Sequence, residues 1–311
     1  MAYRDLREWI DHLDQEGELL RIKEEINLEP DAGAIGRAIC DIQGPGILAE
    51  NVAGFENRMS ICLHASFRRA AMAMGLPKET SLREQKQAWL KAYDRHPIKP
   101  VMVKDAPCKD NILRGGEVDL FRFPIPRLNL HDASFYISKP MVITKDPDSD
   151  WVNVGMYRMM VLDRNRTCIL AEPPQHIGEH YKKSRWLGRP LEVAVALGTE
   201  PVLPMVAGMK VPRGWSEFDY AGAVRGESME LVKAETVDLP VPATAEIVLE
   251  GVLRHDCQVF EGPFAEYTGC YSGYFMAPVF EITTITHRDN PIYDALYSGK
   301  PNAEMHYMTL M

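Results

Sequence analysis

The chain has 311 residues, 46% hydrophobic and 25% charged, with a formal net charge of −9 and a sequence pI near 5.5. That length supports a full core and two domains, while the acidic balance, with Lys and Arg scattered apart from Lys182, Lys183 and Arg185, argues against general nucleic-acid binding, which needs clustered cations. The start, Met1-Ala2-Tyr3-Arg4-Asp5, lacks the apolar core of a secretory signal and no run approaches the roughly 18 apolar residues of a membrane helix, so a cytoplasmic protein with no membrane partner is expected.

In chain order, Leu6, Trp9, Ile10 and Leu13 recur at i, i+3, i+4 and i+7, which predicts a helix closed by Gly17. A strand over 19–22, a helix over 32–42, a strand over 61–64 and helices over 68–74 and 82–93 follow, an α/β layer. From Pro97 the texture changes: prolines at 97, 100, 107, 124, 126 and 140 separate short extended runs and place a domain boundary. Beyond it, strands are predicted over 140–145, 151–162, 191–197, 247–253, 279–286 and 292–297 from their β-branched and aromatic content, with helices at 176–187 and 216–224. Strands without regular intervening helices favour an antiparallel barrel or sandwich, so the class is α+β. The last residues, Tyr307 to Met311, read as the start of another element. The six cysteines, Cys40, Cys62, Cys108, Cys168, Cys257 and Cys270, lack CxxC spacing and are expected mostly as small buried hydrophobes.

The chemistry gathers in the second half. Glu261-Gly262-Pro263-Phe264-Ala265-Glu266 sets two carboxylates around a Gly-Pro turn, a spacing that neither a helix face nor a strand face supplies. A turn lets both side chains converge, and paired acids divide labour when one stays ionised and the other holds a proton. A water-facing polar loop has the same residues, so the distinction rests on the segments upstream. In Trp151-Val152-Asn153-Val154-Gly155-Met156-Tyr157-Arg158, strict alternation puts Asn153 and Arg158 on opposite faces, so for both to reach one site the chain must bulge or turn, with Gly155 the natural place. Pro173-Pro174-Gln175-His176 delivers His176 to a helix N-terminus suited to an anion, and Trp215-Ser216-Glu217-Phe218 starts another helix. Asn153, His176 and Glu217 form an oxygen- and nitrogen-rich set suited to Mg or Mn. His176 and His180 also stand at i, i+4, but Glu179 does not follow the first His directly as in zincins, and His180 is expected to be solvated or to support the ligands from behind.

These motifs, with Trp-Ser-Glu-Phe-Asp-Tyr-Ala-Gly-Ala-Val-Arg-Gly at 215–226, Ala-Glu-Ile-Val-Leu-Glu-Gly at 245–251 and Tyr3-Arg4-Asp5-Leu6-Arg7, resemble the UbiD family of reversible decarboxylases, in order along the chain. The resemblance implies an N-terminal α/β domain, 1–115, and a split β-barrel domain, 116–311, that binds prenylated flavin mononucleotide. It implies Asn153, His176 and Glu217 as ligands of Mn2+ or Mg2+, K+ near Met209 and the carbonyls by Val206 and Ala207, and a cofactor lining of Asn153, Val154, Gly155, Met156, Tyr157, Arg158, Gln175 and His176. Arg158 would orient the substrate carboxylate, Glu261 would hold Arg158, and Glu266 would deliver the proton, kept on it by burial. Phe264, Tyr267, Tyr271 and Phe275 would shape a substrate pocket, with core packing as the other reading of those aromatics.

The implied activity is non-oxidative, reversible decarboxylation of an aromatic, heteroaromatic or α,β-unsaturated acid, with a flavin prenyltransferase supplying the cofactor and a homo-oligomer as the assembly. The family continues past the position of Met311 into a C-terminal α/β oligomerisation domain that this chain is expected to lack, so exposed apolar surface with self-association or instability is expected. An accessory flavin-binding subunit and a split-barrel flavin reductase are the other readings.

Overall fold

The structure, a computed structural model, describes residues 2–94, 97–104, 106–172 and 174–309. Pro173 of the Pro-Pro-Gln-His motif, and Leu310 and Met311 of the closing segment, lie outside them.

The fold is mixed α+β. Helix Leu6–Gln15 forms where its sequence predicts: Asp5 caps it by accepting the Glu8 N–H, Leu6, Trp9, Ile10 and Leu13 face the core, and Gly17 takes a positive φ of 70° just beyond. Asp31–Ile42, Phe67–Ala73 and Leu82–Tyr93 follow, the last opened by a capping box between Ser81 and Glu84. They surround a four-stranded sheet in the order Leu19–Ile22, Gly46–Ala49, Met59–Ile61, Tyr293–Ala295. Its last strand comes from the far end of the chain and pairs in parallel with Met59–Ile61.

The large sheet has nine strands paired antiparallel throughout. Its order is Tyr136–Ile137, Met159–Val161, Arg166–Ile169, Phe275–His287, Ile247–Glu261, Leu191–Leu197, Met141–Lys145, Val152–Met156, and Asn111–Arg114 adds to Phe275–His287. It curls where its two longest strands slip register, between Glu250 and Gly251 and between Leu253 and Gln258. A Cβ at Gly251 would lie 2.0 Å from the Glu281 carbonyl oxygen, so only glycine lets the strands close at that slip. Both ends of the 115/116 division are crossed, because Asn111–Arg114 belongs to the large sheet and Tyr293–Ala295 to the small one.

Both faces of the large sheet are covered, which explains why Leu191–Leu197 reads as an almost unbroken apolar run. Val193, Val195 and Leu197 enter one core with Ile47, Ile61 and Phe280, while Ala194 and Ala196 enter another with Trp9, Leu48 and Phe218. Polar ties join the layers. Arg7 grips Glu246 through two bonds of 2.8 Å, linking two of the motif segments as structure rather than chemistry. Lys139, buried, contacts Asp294 at 2.9 Å, Glu304 at 3.4 Å and His64 Nδ1 at 3.1 Å, and so pins both sheets to helix Glu304–Thr309. Four of the six cysteines are buried, Cys257 is half-buried and Cys270 exposed. No helix among the described residues is long and apolar enough to cross a membrane.

Candidate active site

Strand Val152–Met156 pairs with Met141–Lys145 in unbroken register, Gly155 opposite Val142. Of the bulge or turn expected at Gly155, the structure has the turn, two residues later: the chain leaves the strand after Met156 and turns through Tyr157 and Arg158 into Met159–Val161. Gly155 serves another purpose, since a Cβ there would meet the Tyr157 ring at 2.3 to 2.4 Å. The turn points consecutive residues to adjoining places, Tyr157 into a cleft and Arg158 against the acidic loop.

That cleft, about 370 Å3, is lined by residues 153–157, 174–176, 207–211 and Glu217. It gathers Asn153, His176 and Glu217 from three elements, with Val154, Gly155, Met156, Tyr157, Gln175 and Met209. Glu217 opens helix Glu217–Arg225 behind the Ser216 cap, and the Val154 N–H donates to its Oε2 at 2.6 Å. His176 opens helix His176–Trp186, whose cap residue Gln175 makes no side-chain bond to the helix N-terminus. His176 Nδ1 lies 3.9 Å from Glu217 Oε1, and the Asn153 amide nitrogen donates to the Tyr157 hydroxyl at 3.4 Å.

Electrostatics here favour neutral forms. Burial pushes the Glu217 carboxyl up to about 8, against the Val154 bond that opposes it, and lowers the His176 imidazole. A neutral imidazole and a carboxylate short of cationic partners are what a hard divalent ion relieves. Two donors each about 2.1 Å from one ion stand roughly 3 to 4 Å apart, which the 3.9 Å separation fits. Among the described residues no three His, Cys, Asp or Glu side chains converge as a metal group, so a site here depends on the Asn153 amide as third ligand. Of the two places expected for His180, the solvated one is not the one it takes. It is fully buried with Nδ1 2.9 Å from Thr144 Oγ1, and burial lowers it to about 4. The Trp151 ring stands edge-on between His180 and His176, 4.8 Å from each, which closes His180 off from water.

The acidic loop joins the two longest strands. Gly262, at φ 95°, comes so near the Gly273 carbonyl that a Cβ would lie 2.4 Å away. The returning chain closes a tight excursion through the Glu266 N–H to Cys270 oxygen and Ser272 N–H to Phe264 oxygen bonds, both 2.9 Å. Both carboxylates thereby meet Arg158. Its Nε and Nη2 donate to the two oxygens of Glu261 at 2.8 Å each, and Nη1 donates to Glu266. Burial opposes the charge on Arg158, yet the Glu261 bonds and both carboxylates raise its proton affinity on balance, so it stays cationic. The Phe264 ring lies under the guanidinium with 5.0 Å to its centroid.

The two acids are not alike. The Glu261 side chain is 0% exposed and that of Glu266 28%, so the proton donor expected to be buried is the more open of the pair. The reason is position: Glu261 ends a sheet strand, whereas Glu266 sits near the loop's tip. Phe264 is buried, while Tyr267, Tyr271 and Phe275 are exposed, so core packing accounts for the first alone. Sequence reading missed Tyr136, whose hydroxyl donates to Glu261 at 3.1 Å, and Ser272, which accepts from Arg158 Nη2 at 3.3 Å. Tyr136 lies in an ordinary apolar strand run and carries no local signal. A larger groove of about 760 Å3 runs past Asp146, Asp148 and Asp150 but gathers none of these residues, and Lys183 already pairs with Asp146 and Asp148.

The curled antiparallel sheet thus holds a cleft that gathers Asn153, His176 and Glu217 next to Arg158 set between Glu261 and Glu266. The chain belongs to the UbiD family: residues 99–301 match its 3-octaprenyl-4-hydroxybenzoate carboxy-lyase Rift-related domain and residues 10–89 its N-terminal domain. It is similar to a phenolic acid decarboxylase of Streptomyces sp. (strain D7), 38% identical over 99% of this chain and 66% of the relative. The vanillic acid decarboxylase of Sedimentibacter hydroxybenzoicus in closed form superposes with a TM-score of 0.97 at 38% identity, covering 99% of this chain and 67% of that one. An evolved dimeric form of the UbiD-class enzyme HmfF from Pelotomaculum thermopropionicum, solved with prFMN, gives 0.88 at 33% identity over 98% and 69%. The chain thus spans about two thirds of the length of these relatives.

Proposed function

We propose that this chain carries the cofactor and reaction site of a reversible, non-oxidative decarboxylase of an aromatic, heteroaromatic or α,β-unsaturated carboxylic acid, dependent on prenylated flavin mononucleotide. The observation that carries the reading is Arg158 held between Glu261 and Glu266, one residue along the chain from the cleft that gathers Asn153, His176 and Glu217. Asn153, His176 and Glu217 would hold Mn2+ or Mg2+ against the cofactor phosphate, with K+ beside Met209 and the carbonyls near Val206 and Ala207. When bound, the cofactor supplies an electron sink for the carbanion that loss of CO2 leaves.

The chain's own residues do the rest. Glu261 fixes Arg158 by a two-point grip, and the second N–H on Nη1 orients the substrate carboxylate. The bond to the carboxyl group breaks, CO2 departs, and Glu266 gives its proton to that carbon. The same acid takes the proton back in carboxylation. A second reading is an accessory flavin-binding subunit that binds the cofactor without independent activity.

The test is co-expression with a flavin prenyltransferase, then mass spectrometry of the released cofactor and metal analysis. Prenylated flavin with Mn is expected, Mn should be lost in His176→Ala, and CO2 release from phenolic acids should follow. Absence of both flavin and metal would overturn the reading. Both present without turnover would favour the subunit, and NADH oxidation would point to a flavin reductase.

A further inference from the structure

The Glu266 side chain meets Arg158 and is part-exposed, so its placement depends on the backbone that carries it. That backbone is gripped from outside the loop. The Ala265 N–H donates to Asp132 Oδ1 at 2.8 Å, and the Ala265 carbonyl accepts from Ser298 Oγ at 3.0 Å. Two residues earlier, the Pro263 carbonyl accepts from the Ala133 N–H at 2.8 Å. The peptide units flanking Ala265 are thus tied to two segments far away in sequence; past Glu266 the Gly269 N–H donates to the Glu266 carbonyl at 2.9 Å, and the Tyr267 carbonyl lies 2.8 Å from His306 Nε2.

The two segments are also tied to each other. Asn129 donates through Nδ2 to the Ser298 carbonyl at 3.1 Å and accepts from the Tyr297 hydroxyl at 3.3 Å. The Asn129 N–H donates to Asp132 Oδ2 at 3.1 Å, so both oxygens of one carboxylate are committed to holding chain in place. Asp132, Ala265 and Ser298 are all buried. The clamp is anchored in turn, because the Tyr297 N–H donates to Glu304, which Lys139 neutralises. A buried carboxylate facing backbone donors at a loop next to a reacting acid is costly unless the position it holds matters.

We infer that Asp132 and Ser298 are positioning residues, clamping the Ala265 peptide units so that the Glu266 carboxylate stays on Arg158. The inference rests on the proposed proton-donor role of Glu266, and its test separates the two. In the apo protein, Asp132→Ala is expected to speed amide hydrogen exchange across 262–272 by at least about tenfold while the sheet strands stay protected. In the loaded, complete protein it should lower kcat by about 10- to 100-fold with KM within about twofold, as expected when a reacting group is misplaced by an ångström. Asp132→Asn keeps an acceptor oxygen and should recover most of both. Unchanged exchange across 262–272, or unchanged kcat in a fully active background, overturns the clamp. If Asp132→Ala does not fold, Ser298→Ala probes the other side of the same peptide: faster exchange across 262–272 with lower kcat supports the clamp, and no change in either overturns it. Should the wild-type protein release no CO2, the functional reading fails, and the exchange measurement alone decides the clamp.

Discussion

At the scale of single residues, the division between Glu261 and Glu266 follows from how many donors each one meets. Glu261 accepts from Arg158 twice and from Tyr136, with no exposed surface, which suits an anion that orients a cation. Glu266 shares a single Arg158 nitrogen and reaches solvent, which suits an acid that must exchange its proton between turnovers. Glu266→Gln is therefore expected to lose about 10²- to 10⁴-fold in turnover with cofactor content unchanged. Deuterium incorporation at the substrate carbon, followed by NMR, checks it, and wild-type exchange in the variant would remove Glu266 from the donor role. The acidic loop was legible as a pair of converging acids because a Gly-Pro turn is a local signal. Tyr136 and Asp132 were not, because what each does depends on a partner more than a hundred residues away.

At the scale of elements, the expected spans hold for the regular pieces: Leu82–Tyr93 falls over 82–93, where the structure adds the Ser81–Glu84 capping box, and Leu191–Leu197 matches its apolar run. The long strands did not follow the sequence so closely. Ile247–Glu261 runs eight residues beyond the expected end at 253, since after the slip at 254–257 its last four residues pair again with Phe275–Pro278 although exposed Asp256 and Gln258 break the apolar pattern. Strand Val152–Met156 ends where a continuous strand to 162 was expected, because the Tyr157-Arg158 turn serves the cleft and the acidic loop at once. Gly251 sits at the register slip that bends the sheet toward the loop. Gly251→Ala is expected to cost about 1–3 kcal/mol by forcing the strands apart, seen as a lower denaturant midpoint at unchanged slope. A midpoint equal to that of the wild type would mean that the slip tolerates a side chain.

At the scale of the whole molecule, buried charge links the two sheets to the C-terminal helix and makes stability depend on acid. Burial works against the Glu304 charge, but Lys139 and the His64 contacts outweigh it and hold its carboxyl down at about 2, from an ordinary 4.5. Burial, then the Lys139 charge, lowers His64, whose Nε2 lies 2.9 Å from the Pro201 carbonyl while Nδ1 faces the lysine. For both groups the unfolded chain binds protons that the folded chain refuses. The stability they contribute is present above their unfolded values and is lost as pH falls, from about 6.5 downward for His64 and from about 4.5 toward 2 for Glu304. Thermal melting between pH 7 and 3 should show this decline, and Glu304→Gln should flatten its lower part. A Glu304→Gln slope equal to the wild type's would show that other acids govern it.

By itself the sequence determined the local terms: where amphipathic helices begin and end, which runs are too apolar to face water, and which few polar residues interrupt them without a packing reason. Those terms act within a turn of helix or a pair of strands, so a single chain can be read for them. Tertiary structure alone decided which residues meet. It bent the chain at Tyr157 rather than Gly155, buried His180 behind Trp151, left Glu266 more open than Glu261, and sent Tyr293–Ala295 back into the first sheet. Each of these outcomes balances desolvation against pairing across long sequence separations, and that balance exists only once the sheets have closed on each other.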